Sequence, residues 1–192
     1  MRLVLASASP RRADLLRAAG IDFDVRPADV DESIRAGEAP EHYACRVAFA
    51  KARAVSERIP DHLVLGADTI VVVDGEILGK PSNADDAGRM LRILSGRSHQ
   101  VMTAVALLGA TSSGSVDETC IETTTVEFAP LSDSQIAWYV ASGEPLDKAG
   151  AYAVQGLASR FVTRVEGSYS NVVGLPVSLV YVMCKRVGLL LS

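Results

Sequence analysis

The sequence predicts a mixed α/β fold, a twisted sheet with helices on its faces, and three features carry that expectation. The apolar triplet Leu3-Val4-Leu5 turns into an amphipathic segment that stops at Gly20, as a strand followed by a helix does. The run LVLGADTIVVV at residues 63–73 is nearly continuous in aliphatic and β-branched residues, which suits a strand covered on both faces at the centre of a sheet. Residues 99–108 and 119–128 then read as a long antiparallel pair. Strands and helices alternate first and antiparallel strands intervene later, so a purely doubly wound sheet is not expected. With 192 residues, 48% hydrophobic and 22% charged, the chain can bury one sizeable core, expected as a single domain over residues 1–192 with room for two lobes.

Local chemistry justifies the elements in turn. Ser9 is a favoured helix N-cap, Pro10 fits the first helical position and Gly20 is a natural stop. Residues 21–25 alternate like a half-buried strand and lead into the acidic segment Asp29-Val30-Asp31-Glu32-Ser33 and a loop. Pro40 opens a helix on which Tyr43, Val47, Ala50 and Ala54 keep helical spacing, with Arg46 and Arg53 on its more polar side. Lys51 lies beside the apolar stripe; helical position alone favours a snorkelling side chain over one aimed into a cleft. Asp74-Gly75 is a type I′ hairpin signal joining the central strand to Glu76-Ile77-Leu78, before Gly79-Lys80-Pro81.

Ser82 or Asn83 can cap a helix with Ala87, Met90, Leu91 and Leu94 on one face, Asp85 and Asp86 in its first turn and Gly96 at its end. The polar stretch 109–117 reads as an exposed connection between the paired strands. Ser132 and Gln135 form a capping-box pattern for a helix that buries Ile136, Tyr139 and Val140, leaves Trp138 partly covered and closes at Gly143. Residues 147–156, DKAGAYAVQG, are small and glycine-punctuated yet carry Asp, Lys, Tyr and Gln. They suit close approach to something, or a tight turn into a strand. Residues 161–165 read as a strand, 166–174 as a glycine-bounded loop, and Pro176 as the start of a last helix using Val177, Val180, Tyr181, Cys184 and Val187.

Composition narrows the function classes. A formal net charge of −4 argues against a protein that coats nucleic acid. Cys45, Cys120 and Cys184 are far apart with no CxxC pair, which points to buried small hydrophobes in a reducing compartment rather than a zinc site or disulfide framework. The apolar stretch 172–184 contains Gly174 and Pro176 and falls well short of the ~20 residues that span a bilayer. The N-terminal apolar run is far shorter than a signal peptide's core, so a cytoplasmic location without membrane attachment is expected. Neither a GxxxxGK[ST] nor, after the first strand, a GxGxxG is present, which argues against a P-loop ATPase and a Rossmann dinucleotide site.

Several residues remain as chemistry. Ser7, Ser9, Arg11 and Arg12 crowd a helix N-terminus with hydroxyls and guanidiniums, a pattern that fits a phosphate and equally an ordinary capped helix with solvated arginines. Asp68 interrupts the core strand; a buried carboxylate needs a metal, a base or a donor, and a satisfied structural Asp at a bulge is the lesser alternative. Thr69 beside it can hydrogen-bond a neighbour or ligand. His99 is alone, with no second His or Cys at ligand spacing, and suits a hydrogen-bonded structural role. Together with the cations Lys51 and Lys80 and the acidic turn Asp31-Glu32, this set fits polyphosphate hydrolysis. The cations would hold the phosphates while Asp68 and Glu32 place Mg²⁺ and orient or deprotonate a water.

The order of these motifs also carries a resemblance. Ser7-Ala8-Ser9-Pro10-Arg11-Arg12, Asp31-Glu32, Lys51-Ala52, Ala67-Asp68-Thr69, Gly79-Lys80-Pro81, His99 with Val101 and Thr103, residues 147–152 (DKAGAY), Gln155-Gly156 and residues 171–176 (NVVGLP) resemble Maf-like nucleoside triphosphate pyrophosphatases over essentially the whole chain. The resemblance implies cleavage between the α- and β-phosphates of a nucleotide by a housecleaning enzyme. It also implies a fold similar to inosine triphosphate pyrophosphatases, with a cleft between two lobes. By that analogy Asp68 is the catalytic carboxylate, assisted by Lys51 and Lys80, and Glu32 is its partner in holding Mg²⁺ or Mn²⁺. Ser7, Arg12, Lys51 and Lys80 hold the polyphosphate, with Ser9 in the same binding turn. Arg11, Thr69 and Gln155 occupy the positions that sort substrates, in the combination of the subgroup acting on dTTP and UTP. Gln155 offers a donor and an acceptor, as the imide edge of thymine or uracil requires. A homodimer is expected only by analogy, and a nucleotide-binding regulator of septum formation is the competing reading.

Overall fold

In the computed structural model, which describes residues 2–111 and 114–189, strands β1 (Leu3–Leu5), β2 (Phe23–Val25), β3 (Leu63–Val73), β4 (Glu76–Leu78), β5 (Ser98–Thr111), β6 (Gly114–Phe128) and β7 (Val162–Glu166) form one mixed sheet. Its order is β2-β1-β3-β5-β6-β7, with β4 paired to β3. The helices are α1 (Pro10–Ala18), α2 (Pro40–Ser56), α3 (Ala84–Leu94), α4 (Asp133–Ala141), α5 (Tyr169–Val173) and α6 (Val177–Arg186). The chain divides into two compact units: Met1–Asp68, Thr103–Glu122 and Gly174–Ser192 form the first, and Thr69–Met102 and Thr123–Val173 the second.

In the first unit β1 lies parallel to both neighbours, with Leu3 opposite Phe23 on one side and Leu63 on the other. Leu3, Leu5, Leu16, Leu63, Leu65, Val105, Leu107, Leu175, Val180 and Met183 belong to one buried cluster, so α1 and α6 meet the sheet through their apolar faces. Helix α2 approaches β3 much more closely. A Cβ placed on Gly66 would lie 2.3 Å from the Ala48 carbonyl oxygen and 2.7 Å from the Ala52 nitrogen, so only glycine permits this contact. The expected exposed connection at 109–117 is instead mostly strand: β5 continues to Thr111 and β6 begins at Gly114, with residues 112–113 outside the described residues. Gly109 belongs to β5 because its φ of +148° and the His62 carbonyl, 2.2 Å from where a Cβ would stand, leave no room for a side chain.

In the second unit the Asp74-Gly75 turn has positive φ at both residues, 52° and 81°, as a type I′ hairpin requires, and Val71 pairs antiparallel with Leu78. Asn83, rather than Ser82, caps α3, its Oδ1 accepting the Asp86 N–H at 2.9 Å. Ser132 and Gln135 form the full capping box of α4. The 147–156 stretch holds the end of one short 3₁₀ segment (Glu144–Asp147) and a second (Ala149–Ala151) followed by a turn, and no strand. What it approaches is the sheet: a Cβ on Gly150 would lie 2.8 Å from a methyl of Val71. Residues 166–174 are not all loop, because Ser168 accepts the Asn171 N–H at 3.3 Å and opens the short helix α5. The fully buried Asn171 then donates to the Val101 carbonyl at 3.0 Å and to Thr124 Oγ1 at 2.9 Å.

Candidate active site

Close packing of α2 on β3 brings Lys51 beside Asp68 in the first unit. Lys51 does not snorkel: it is 8% exposed, and its Nζ lies 2.8 Å from Asp68 Oδ1 and 2.8 Å from Glu32 Oε1. Asp68 is 6% exposed, and burial pushes its carboxyl above the ordinary value. Lys51 and Arg12 oppose that shift and Glu32 adds to it. An ammonium between two carboxylates offsets their mutual repulsion, so the pair can sit together at neutral pH.

The turn before α1 adds a buried guanidinium. Arg12 donates through Nε to the Gly174 carbonyl at 2.8 Å and through Nη1 to Ser7 Oγ at 3.1 Å. Burial lowers the Arg12 pKa, while Asp68 and Glu32 raise it, so this cation is electrostatically coupled to the carboxylates. Solvated arginines therefore do not describe Arg12; Arg11 is half-buried. Ser9 holds the N-cap position, yet its side chain makes no capping bond. Its N–H donates instead to Ser7 Oγ at 3.2 Å, so Ser7 orders both the turn and Arg12.

The segment carrying Glu32 has no regular structure of its own, and α2 holds it through Tyr43, expected on the apolar stripe, and Arg46, expected on the more polar side. Tyr43 donates to the Glu32 carbonyl at 2.8 Å. Arg46 grips Glu38 with two bonds, Nε to Oε1 at 2.6 Å and Nη2 to Oε2 at 2.7 Å, and reaches the Ser33 carbonyl at 2.9 Å. That grip holds the Glu38 carboxyl down at about 2. The available signal is the Tyr43/Arg46 spacing of one helical turn, which stacks the guanidinium 5.4 Å from the ring centroid. Asp31 turns to Ser33, whose side chain and N–H, the latter at 2.9 Å, lower its pKa.

Thr69, Lys80 and Gln155 belong to the second unit. Thr69 is half-buried and Lys80 is exposed. Gln155 is exposed on a turn closed by the Gly156 N–H on the Ala153 carbonyl at 3.1 Å. Among the described residues no three His, Cys, Asp or Glu side chains gather as a self-sufficient metal cage.

With this geometry in place, the model of the family described as Maf-like protein matches residues 2–187. The chain belongs to the Maf-like family. It is similar to the dTTP/UTP pyrophosphatase of Koribacter versatilis, 53% identical over 190 residues that cover 99% of this chain and 96% of that one. It is also similar to the dTTP/UTP pyrophosphatase of Anaeromyxobacter dehalogenans (strain 2CP-1), 54% identical over 187 residues covering 97% and 94%. That of Geobacter sulfurreducens is 50% identical over 189 residues covering 98% of each.

Other singled-out groups of this Maf-like protein are structural. Cys184 is buried, whereas Cys45 and Cys120 are only half-buried, and all three are free thiols. No helix among the described residues is long and apolar enough to cross a membrane. His99 is 3% exposed, its Nε2 is hydrogen-bonded to Tyr152 Oη at 2.8 Å, and its ring meets Phe128 and Tyr152 edge to face. Burial lowers its pKa from 6.5 to about 4. The unfolded chain therefore binds a proton that the folded chain refuses between those values, and stability falls as pH drops through that window. The loss should reach about 3 kcal/mol at the acid end. Urea unfolding across the window should show this slope in wild type and a flatter one in His99→Gln; equal slopes would exclude His99 as its source.

Proposed function

We propose that this Maf-like protein is a nucleoside triphosphate pyrophosphatase that hydrolyses dTTP and UTP to the monophosphate and pyrophosphate, with residues 1–192 acting as one functional domain. The observation that carries the reading is the buried Lys51 ammonium held at 2.8 Å from both Asp68 and Glu32, with Arg12 coupled to the same carboxylates. The relatives' names as dTTP/UTP pyrophosphatases support the pyrimidine preference.

In this reading Asp68 accepts the proton of the attacking water. One P–O bond forms to the water oxygen, the bridging bond between the α- and β-phosphates breaks, and pyrophosphate leaves. Lys51, Arg12 and Lys80 neutralise phosphate charge, and Ser7 keeps Arg12 in place. Ser9 completes the phosphate turn, and Arg11, Thr69 and Gln155 select the base; these roles rest on the family resemblance.

The donor set fits Mg²⁺ or Mn²⁺. Asp68 and Glu32 supply two hard carboxylate groups within reach of one cation, and a metal of this kind fills its other positions with water and phosphate oxygens. When bound, the ion would neutralise phosphate charge and make a water more acidic.

Purified protein with Mg²⁺ or Mn²⁺ and a panel of triphosphates should release pyrophosphate fastest from dTTP or UTP, stop on chelation by EDTA and recover on adding metal back. Orthophosphate as the primary product, or no turnover, would overturn the proposal.

A further inference from the structure

Gln155 stands at a turn whose two ends are tied to the same pair of side chains. On one side the Ala153 N–H donates to Tyr139 Oη at 3.3 Å, and that hydroxyl donates to Glu144 Oε1 at 2.8 Å. On the other side the Leu157 N–H donates to Glu144 Oε2 at 2.9 Å, and the Ala158 N–H reaches Oε1 at 3.5 Å. One Tyr–Glu pair thus holds the backbone two residues before and two residues after Gln155. Val154 is buried beside it and Gln155 itself is exposed, so the turn is anchored while its amide is offered outward.

The pair is itself well fixed. Tyr139 is fully buried on α4 and packs edge to face on Phe161 with centroids 5.6 Å apart. Glu144 donates its N–H to Ser142 Oγ at 3.2 Å and accepts Lys148 Nζ on its carbonyl at 3.2 Å. Gly156 explains the rest: a Cβ there would lie 2.3 Å from both Glu144 carboxylate oxygens. The carboxylate occupies the space a side chain would need, directly after the residue assigned to the base. A carboxylate that accepts two backbone N–H groups of a short turn and a tyrosine hydroxyl is a strong clamp.

We propose that Glu144 and Tyr139 are positioning residues for base selection, clamping the 153–158 turn so that the Gln155 amide is pre-set for a pyrimidine imide edge, with Gly156 leaving room for the clamp. This rests on the proposed pyrimidine activity and names the device behind its selectivity. The physical ground is pre-organisation: an amide that must be ordered on binding gives back affinity, and one that can swivel also accepts the wrong edge. Cytosine, with an amino group and an unprotonated ring nitrogen where uracil has a carbonyl and N–H, is the natural comparison.

Steady-state kinetics on UTP and CTP test it with wild type, Tyr139→Phe, Glu144→Gln, Gln155→Ala and the double variant Tyr139→Phe/Gln155→Ala, alongside melting curves. Tyr139→Phe and Glu144→Gln should each raise KM for UTP with kcat kept, and reduce the UTP:CTP ratio of kcat/KM roughly three- to tenfold, the worth of ordering one side chain of this kind. In the Gln155→Ala background, Tyr139→Phe should leave the ratio unchanged, because both act through one amide. A lower Tm with an unaltered ratio in both single variants would reduce Tyr139 and Glu144 to structural residues and overturn the proposal, as would fully additive losses in the double variant. If Gln155→Ala leaves the ratio intact while wild type still releases pyrophosphate from UTP, the clamp proposal fails and the pyrophosphatase reading stands. A wild type without pyrophosphate release overturns both.

Discussion

Asp68→Asn is expected to lower kcat for UTP by about 10²–10⁴-fold while leaving triphosphate binding largely in place, because it removes the group that takes the water's proton and keeps its size. Two further readouts separate this from general damage. The base must be ionised to take the proton, so wild-type kcat/KM should rise with pH through an acid limb set by Asp68. The residual activity of the Asn variant should lack that limb. Stability should move the other way: a native pKa raised by burial means that ionising Asp68 opposes folding above that pKa, and an amide carries no such penalty. Lys51 keeps Glu32 at 2.8 Å in the variant, so its charge is not abandoned. Tm at pH 7 should therefore equal or exceed that of wild type. A variant that retains activity, or keeps the acid limb, would remove Asp68 from the chemistry. The same protein decides the regulatory alternative, since a nucleotide-binding regulator of septum formation would keep its effect in cells with Asp68→Asn and an enzyme would lose it.

What sequence pattern could reveal was set by range. The β1–α1 junction, the Asp74-Gly75 hairpin, the Asn83 cap and the Ser132/Gln135 box are each decided within a few residues, and each is present in the fold. Asp68 was visible because a carboxylate inside LVLGADTIVVV violates the local pattern. Burial of Lys51 was not, because its helical position favours a snorkelling lysine, and the partner that draws it inward is 17 residues away. Arg46 and Glu38 look like solvated charges until the loop between them folds back on α2. Gly109 reads as a turn residue, yet the pressure on it comes from the His62 carbonyl of another segment. The base-sorting roles of Thr69 and Gln155 rest on family resemblance, while Lys80 joins the phosphate-holding cations through its Gly79-Lys80-Pro81 setting; nothing in the local pattern of the three distinguishes a ligand-facing side chain from an exposed one.

Gly66→Ala is expected to be among the most damaging single methyl additions in the chain. The new Cβ would stand 2.3 Å from the Ala48 carbonyl oxygen and 2.7 Å from the Ala52 nitrogen, and both are backbone atoms of α2 that no rotamer change can move. Relief requires α2 to lift from β3, a strain of about 3 kcal/mol or more. That corresponds to a Tm roughly 6–12 °C lower in a chain of this size. Activity should fall further than the folded fraction does, because Lys51 rides on the lifted helix and Asp68 stays on the strand. Gly88→Ala supplies the contrast. Its Cβ would meet only the flexible end of Arg92 at 3.4 Å and a methyl of Ile136 at 3.9 Å, inside α3, where Ala is the better helix former. It should be neutral or stabilising by about 0.5–1 kcal/mol. Denaturant unfolding and UTP turnover on the two variants distinguish their effects. Equal stability for both would mean that α2 and β3 are not held at the separation the glycine permits. A destabilised Gly66→Ala with full turnover per folded molecule would mean that the Lys51–Asp68 contact is not what the close packing serves.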